Sequence, residues 1–360
     1  VKALALELAD AGLLVRGDGA LAGLRLRAPS PGLAVIDGTR LHVGRDAQRV
    51  ERLRPLHAHD RFWDRLDTAP AGAPFPGHLR NADLAFAHLQ AVVAELELVE
   101  PVATTFAVPG WYSEAQLGLL LGVARAAGLP ARGLVDAAVA AAAAAPREGD
   151  ALHVDVSLHR TALTSLRIDS VAERGALDVA GTGGLAGLRE TIARGVAAAF
   201  VRETRFDPLH DAASEQALHD RLDSWLAALR ERDETSATLD ASGRRHAVTL
   251  LRARVEEWAA PLCDDLVRRA QALAPAGASL LLSPRAAAVP GLVARLAALP
   301  GVSVVELPPE AAVSGALLPG AEERPSDGSP SFVTRVETGG GDAWGATARI
   351  RGSGDGAAQG

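Results

Sequence analysis

The stretch from Val102 to Ala145, VATTFAVPGWYSEAQLGLLLGVARAAGLPARGLVDAAVAAAAAA, constrains the fold more than any other. It reads as a buried strand, a Pro-Gly turn, an amphipathic helix, a second short strand and a helix made almost wholly of alanine. Strands alternating with helices place the chain in the α/β class.

Composition limits what can surround this stretch. At 360 residues the chain exceeds one average domain and suits two lobes of about 150 residues each. Hydrophobic residues make up 48% and charged residues 22%, enough for a sizeable core in a globular chain. A formal net charge of -7 with no run of Lys or Arg argues against nucleic acid and against a basic membrane surface. Lys2 is the only lysine, which excludes any mechanism that needs an interior one. Cys263 stands alone, so no intrachain disulfide forms, and it reads as a small buried apolar residue. The N-terminus lacks the charged-then-apolar pattern of a signal peptide, and no apolar run reaches the roughly 18 residues of a spanning helix. A cytoplasmic protein without a membrane span is expected.

Upstream, VKALALELADAGLLVRGDGALAGLRLRAPSPGLAVIDGTRLHVG alternates apolar runs with GDG, PSPG and DGTR and reads as a meander of strands. DAQRVERLRPLHAHDRFWDRLD reads as one or two short helices, followed by the loop TAPAGAPFPG. NADLAFAHLQAVVAELELVE reads as a helix capped at Asn81, with apolar positions at Leu84, Phe86, Leu89, Val92, Val93 and Leu96. A second meander begins at Ala151, with strands in LHVDVSLHRTALTSLRIDS and near Val171 to Val179. Helices at about Ala186 to Thr204 and Glu215 to Arg232, a hairpin turned at ASG, and a helix from near Thr249 towards Ala272 come next. ASLLLSPRAAAVPGLVARLAALPGVSVVELPPEAAVSGALL reads as strand, loop, helix, strand, helix. From Pro319 onward Gly, Ser, Glu and Asp dominate, with a possible strand at Ser331 to Glu337 and a solvated tail over about the last fifteen residues.

In this order and spacing the segments resemble the nucleotide-binding domain of the seventy-kilodalton heat-shock chaperones, within the actin-like ATPase superfamily. VPGWYSEAQLGLLLGVARAAGLPARGLVDAAVAAAA follows the family's strand, VPA-type turn, aromatic, acidic-Ala-Gln helix start, AAGL, strand and alanine-rich helix. PGLAVIDGTRLHVGRDAQ resembles the hairpin closing the first meander, and AGTGGLAGLRETI the glycine pair and helix that open the smaller lobe. SATLDASGRRHAVTLLRARVEEWAAPL is similar to that lobe's hairpin and next helix, and ASLLLSPRAAAVPGLVARLAAL with PPEAAVSGALL to the adenosine-side segment and final helix. The resemblance implies an actin-like ATPase (ribonuclease H-like) fold, two lobes each with a mixed β-sheet flanked by helices around a central cleft. Lobe I would span 1–148 with a small inserted subdomain at about 45–98, and lobe II 149–318 with one at about 186–277, leaving 319–360 as a short strand and flexible tail.

In that fold ATP lies between the lobes, each giving a glycine-turned hairpin whose N–H groups approach the phosphates, with a carboxylate beside it for Mg²⁺ and water. The resemblance makes Glu7 and Asp155 the candidate Mg²⁺ ligands, and Asp155 and Asp136 the candidate catalytic carboxylates. Glu7, Thr161, Gly183, Gly184 and Ser283 become the candidate nucleotide contacts. The residues depart from the family at almost every point. Glu7-Leu8-Ala9-Asp10-Ala11 replaces D-x-G-T-T, so that Asp10 would turn a carboxylate towards the phosphates. Asp155-Val156-Ser157-Leu158-His159-Arg160-Thr161 keeps the Asp of D-x-G-G-G-T and none of its glycines. Ser283-Pro284-Arg285 stands where the family has Gly-Gly-Ser, and Pro284 removes a donor and fixes φ. Asp136 is one methylene shorter than the family's Glu, and a helix-start turn explains Gly183 and Gly184 as well as a phosphate does. The family's lysine at the γ-phosphate is missing; Arg61 or Arg65 lies in the corresponding region, but a forked guanidinium is not a point ammonium.

The expectation is a divergent chaperone-type domain that does not hydrolyse ATP, needs no cofactor and serves as a protein-interaction or scaffold module for a protein partner or client. The alternative is a working ATPase with ATP and Mg²⁺ held by Glu7, Asp136 and Asp155 and an Arg in place of Lys; a sugar or acetate kinase of the same superfamily is a third class. About forty residues follow the resembling region, fewer than the chaperones' peptide-binding β-domain and lid need, so client contact is expected on the lobes or through a partner. Elsewhere His57, His59 and Asp60 form HAHD without a second cluster at zinc spacing and read as a helix-end cluster. No P-loop, dinucleotide fingerprint or metalloprotease helix is present.

Overall fold

The opening apolar run folds as β1 (Lys2–Glu7) and returns as β2 (Leu14–Gly19), antiparallel to it. The turn signal DG then makes a hairpin of β3 (Ala34–Asp37) and β4 (Arg40–Val43), which takes up β5 (Ala58–His59) as a separate three-stranded sheet. Helices α1 (Arg45–Gln48), α2 (Phe62–Arg65) and α3 (Asn81–Glu95) lie around it. The organising stretch gives β6 (Thr104–Val108), α4 (Glu114–Ala126), β7 (Ala131–Asp136) and α5 (Ala137–Ala143), in the expected order. The computed structural model describes residues 2–145, 147–241, 243–322, 331–339 and 349–351, and the expected C-terminal tail otherwise lies outside them.

The second half repeats the pattern. A meander of β8 (Gly149–Val156), β9 (Thr161–Ile168) and β10 (Val171–Ala180) leads to α6 (Leu185–Thr204) and α7 (Ala212–Glu231). The hairpin β11 (Glu234–Ala241) and β12 (Arg244–Leu251) and the helix α8 (Arg252–Leu273) follow. Next come β13 (Ser279–Leu282), α9 (Pro284–Ala287), α10 (Leu292–Ala297), β14 (Ser303–Glu306) and α11 (Ala311–Gly315). Three short strands remain: β15 (Phe332–Val333), β16 (Arg335–Glu337) and β17 (Arg349–Arg351).

The result is an α/β protein with several mixed sheets flanked by helices. One large sheet runs β15-β7-β6-β1-β2 and the other β16-β10-β9-β8-β13-β14-β17. In each, a central strand, β1 or β8, pairs antiparallel with its hairpin partner and parallel with the strand beyond, β6 or β13. Each sheet has its own apolar core, and a third core lies between them, built from α5, α11 and small residues of both sheets such as Ala5, Ala107 and Ala151. This third core explains the alanines. A Cβ on Gly315 of α11 would fall 1.7 Å from the carbonyl oxygen of Ala140 on α5, so the two backbones nearly touch and no larger side chain fits between them.

Three local expectations differ. Arg80, not Asn81, takes the N-cap of α3, with its N–H donating to Asp83 Oδ2 at 2.8 Å, because Asn81 Nδ2 is drawn to Asp67 Oδ1 at 2.8 Å. The α8 helix starts at Arg252 rather than near Thr249, since Thr249 to Leu251 still pair with β11. Arg349–Arg351, expected as tail, pairs with β14. No helix among the described residues is long and apolar enough to cross a membrane.

His88 on α3 sits fully buried in the first core, where Trp63 Nε1 donates to its Nδ1 at 2.9 Å and its Nε2 lies 2.8 Å from Ser30 Oγ. The Trp donor requires Nδ1 to accept, so Nε2 carries the proton. Burial pushes the His88 pKa down to about 3. A depressed histidine gives its full stability above about pH 6.5 and loses it as pH falls towards the folded value. His88→Gln should therefore flatten the fall in unfolding free energy between pH 6 and pH 4 by about 1.4 kcal/mol per pH unit, as read from urea midpoints at stepped pH.

Candidate functional site

The two central strands end at one place. Glu7 closes β1, Asp155 lies near the end of β8, Asp136 closes β7, and Ser283 and Arg285 follow β13. Parallel strands leave their carboxyl ends side by side, which is where such sheets gather polar groups. The structure brings Glu7 and Asp155 together, and Arg285 lies between them. Its Nη1 is 2.8 Å from Glu7 Oε1 and its Nε donates to Asp155 Oδ1 at 3.0 Å.

One guanidinium cannot fully compensate two buried carboxylates, and the protonation preferences divide accordingly. Burial holds Glu7 above its ordinary value, against the pull of Arg285 and with the charge of Asp155 adding to the effect. Burial also works to raise Asp155, but Arg285, His153 and the Ser283 hydroxyl outweigh it and hold that carboxyl below its usual range. The strong pair at neutral pH is therefore Asp155 with Arg285. Arg285 itself is held well above its ordinary value, since the two carboxylates outweigh its burial.

Asp136 caps α5, accepting from Ala138 N–H at 2.8 Å through Oδ1, while Oδ2 lies 2.7 Å from Arg174 Nη1 on β10. Ser283 Oγ accepts from Ala286 N–H at 3.1 Å and so starts α9. Thr161 Oγ1 accepts from the buried Arg269 on α8 at 2.5 Å. The glycine pair opens α6, yet its helix-start amides are taken: Leu185 N–H donates to Ser157 O and Ala186 N–H to Leu158 O, both at 2.9 Å. A Cβ on Gly184 would lie 2.3 Å from Leu158 O, so this glycine admits the turn of its own chain.

The two hairpin turns that would flank a phosphate instead dock on each other. Asp10 Oδ1 accepts from Leu158 N–H at 2.7 Å, and Arg160 Nε pairs with the buried Asp64. His159 Nε2 donates to Asp60 O at 3.0 Å. Burial opposes a charge on His159, but the hydrogen bond and charge of Asp60, with Asp10 beyond, hold the imidazole above its ordinary value. Between Glu7, Asp155, Trp111 and Arg285 there remains a cavity of about 40 Å³, room for a few waters. Among the described residues no group of three or more His, Cys, Asp and Glu side chains is arranged to hold a metal ion. Arg61 lies 3.5 Å from Asp64, and Arg65 lines an outer groove away from Glu7 and Asp155.

Sequence reasoning found the carboxylates and missed their partners. Arg285 counted only as the residue at the serine of the family's Gly-Gly-Ser, because its partners Glu7 and Asp155 lie far from it along the chain. Asp64 and Arg174 gave no local signal, because their partners lie in the other half of the chain. Comparison with protein-family models finds none that matches this chain, and comparison with curated proteins finds no match.

Proposed function

We propose that the chain is a divergent chaperone-type member of the actin-like ATPase superfamily, and that it works as a non-hydrolysing interaction or scaffold module for a protein partner. The strand orders support the fold reading, because each half carries a central strand with an antiparallel hairpin partner and parallel strands beyond it, and the closing helices α5 and α11 cross between the halves. The functional reading rests on Arg285. Where a hydrolase of this superfamily turns two carboxylates towards Mg²⁺ and phosphate, Glu7 and Asp155 end on a guanidinium of the same chain. The cation position is thus filled by a group with no open ligand position for water, phosphate or a nucleophile.

The docking of Asp10 on Leu158 and of Arg160 on Asp64 supports the same conclusion, since a triphosphate would have to displace both. Isothermal titration of the chain with Mg-ATP should give no binding heat, and a sensitive phosphate-release assay no turnover. Micromolar binding with turnover abolished by Asp155→Ala would establish the alternative, an ATPase with altered ligands.

A further inference from the structure

The turn between β8 and β9 enters the first half of the chain among three carboxylates. Asp10 lies between β1 and β2, Asp60 between β5 and α2, and Asp64 on α2. Each of these residues holds one residue of the turn. Asp10 Oδ1 accepts from Leu158 N–H at 2.7 Å, Asp64 pairs with Arg160, and the Asp60 carbonyl accepts from His159 Nε2 at 3.0 Å. The Asp60 carboxylate stands 3.3 Å from the same nitrogen. His159 is 7% exposed, so little water screens its charge from these neighbours. On the side of α6, Gly184 closes on the backbone of Leu158 and His159, and that helix carries no titratable group before Arg189. The other charges at hand are Arg61, 3.5 Å from Asp64, and His59, which burial holds below its ordinary value. Further out, Arg285 acts on Asp10, and Glu51 and Asp60 act on each other.

We infer that His159 is a pH-sensitive tie between the two halves of the chain, fastening the β8–β9 turn in its acidic socket when the imidazole is protonated. With His159 neutral, the three carboxylates face only Arg160 and the partly exposed Arg61. One proton on His159 brings the cluster to balance, and histidine is the residue of this turn whose charge changes near neutral pH. Burial works against that charge. The hydrogen bond and charge of Asp60, with Asp10 beyond, outweigh it and hold the imidazole above its ordinary value. Asp60 responds in the opposite sense: burial acts to raise it, but His159 holds it below its usual range, so it stays charged at neutral pH. A histidine raised in the folded chain gives its full contribution below about pH 6.5 and loses it as pH rises through the folded value. The tie is therefore tight in mildly acidic solution and slack in alkaline solution. The hydrogen bond to the Asp60 carbonyl, which a neutral imidazole still donates, remains in both.

The tie is independent of the proposed scaffold role. Two NMR readouts on the full chain test it: the titration of the His159 ring signals, and hydrogen exchange at the Leu158 amide. That N–H donates across the halves to Asp10, so its protection, with the intrinsic pH dependence of exchange divided out, reports how firmly the turn is docked. His159 should titrate above about pH 6.5, and Leu158 protection should fall about threefold or more between pH 6 and pH 8.5. His159→Gln keeps a donor for the Asp60 carbonyl and removes the charge, so its Leu158 protection should change less than about 1.5-fold over the same range. Asp60→Asn keeps the carbonyl and removes the carboxylate; it should lower the titration of His159 and flatten the protection curve. The Asp60 side chain is 39% exposed, so this variant decides if His159→Gln fails to fold. The inference is overturned if His159 titrates at or below about pH 6.5, or if Leu158 protection holds level in the parent chain. It is equally overturned if the fall persists undiminished in a folded variant, which would assign it to Asp10 instead.

Discussion

Arg285→Ala is expected to lower the unfolding free energy at neutral pH by about 3–5 kcal/mol, the usual cost of removing one member of a buried ion pair. The substitution leaves Glu7 and Asp155 facing each other without a counter-charge, and neither can reach bulk water, since Glu7 is fully buried and Asp155 largely so. The sign of the pH dependence follows. In the native chain Asp155 is held below its ordinary value, so its contribution is full above about pH 4 and is lost as pH falls through the folded value. Without Arg285 both carboxyls rise and take up protons earlier, so the deficit should be largest near pH 7 and shrink towards pH 5. Urea denaturation of both proteins at the two pH values measures this; an equal loss at both would contradict the electrostatic account. Adding Glu7→Gln to the variant should recover part of the loss, because one of the uncompensated charges is then gone.

Gly315→Val should be about as damaging, with a loss of at least about 3 kcal/mol, at or beyond the upper end of overpacking costs. The position that a Cβ would occupy is 1.7 Å from Ala140 O, a backbone atom that no rotamer change can move. Relief requires α11 to shift away from α5, which opens the alanine-lined core shared by both sheets. Ala140→Gly should not rescue the variant, because the clash is with the carbonyl and not with the alanine methyl. Thermal unfolding of the single and double variants checks both statements.

The contrast between these two sites shows what the sequence makes legible. The order β6, α4, β7, α5 follows from turn residues and periodicity inside one stretch, as does the second meander. The alanine helix was evident too, though not its cause, since the need for small residues is set by Gly315, far along the chain. The site was legible in part. Glu7, Asp136 and Asp155 stand at the ends of strands that the pattern locates, and the structure gathers them at one end of the sheets. Their chemistry was not, because a carboxylate's role depends on what faces it. Arg285 and Arg174 reach Glu7 and Asp136 only through the packing of one half of the chain on the other. Asn81 shows the same limit on a smaller scale, its capping role given up to a hydrogen bond with Asp67.

The segment from Phe332 to Glu337 pairs through β15 with β7 of one large sheet and through β16 with β10 of the other. Arg174, which bridges to Asp136, also lies over the Phe332 ring at 5.4 Å. This short segment thus joins the two large sheets by backbone pairing, beside the alanine-lined core that they share.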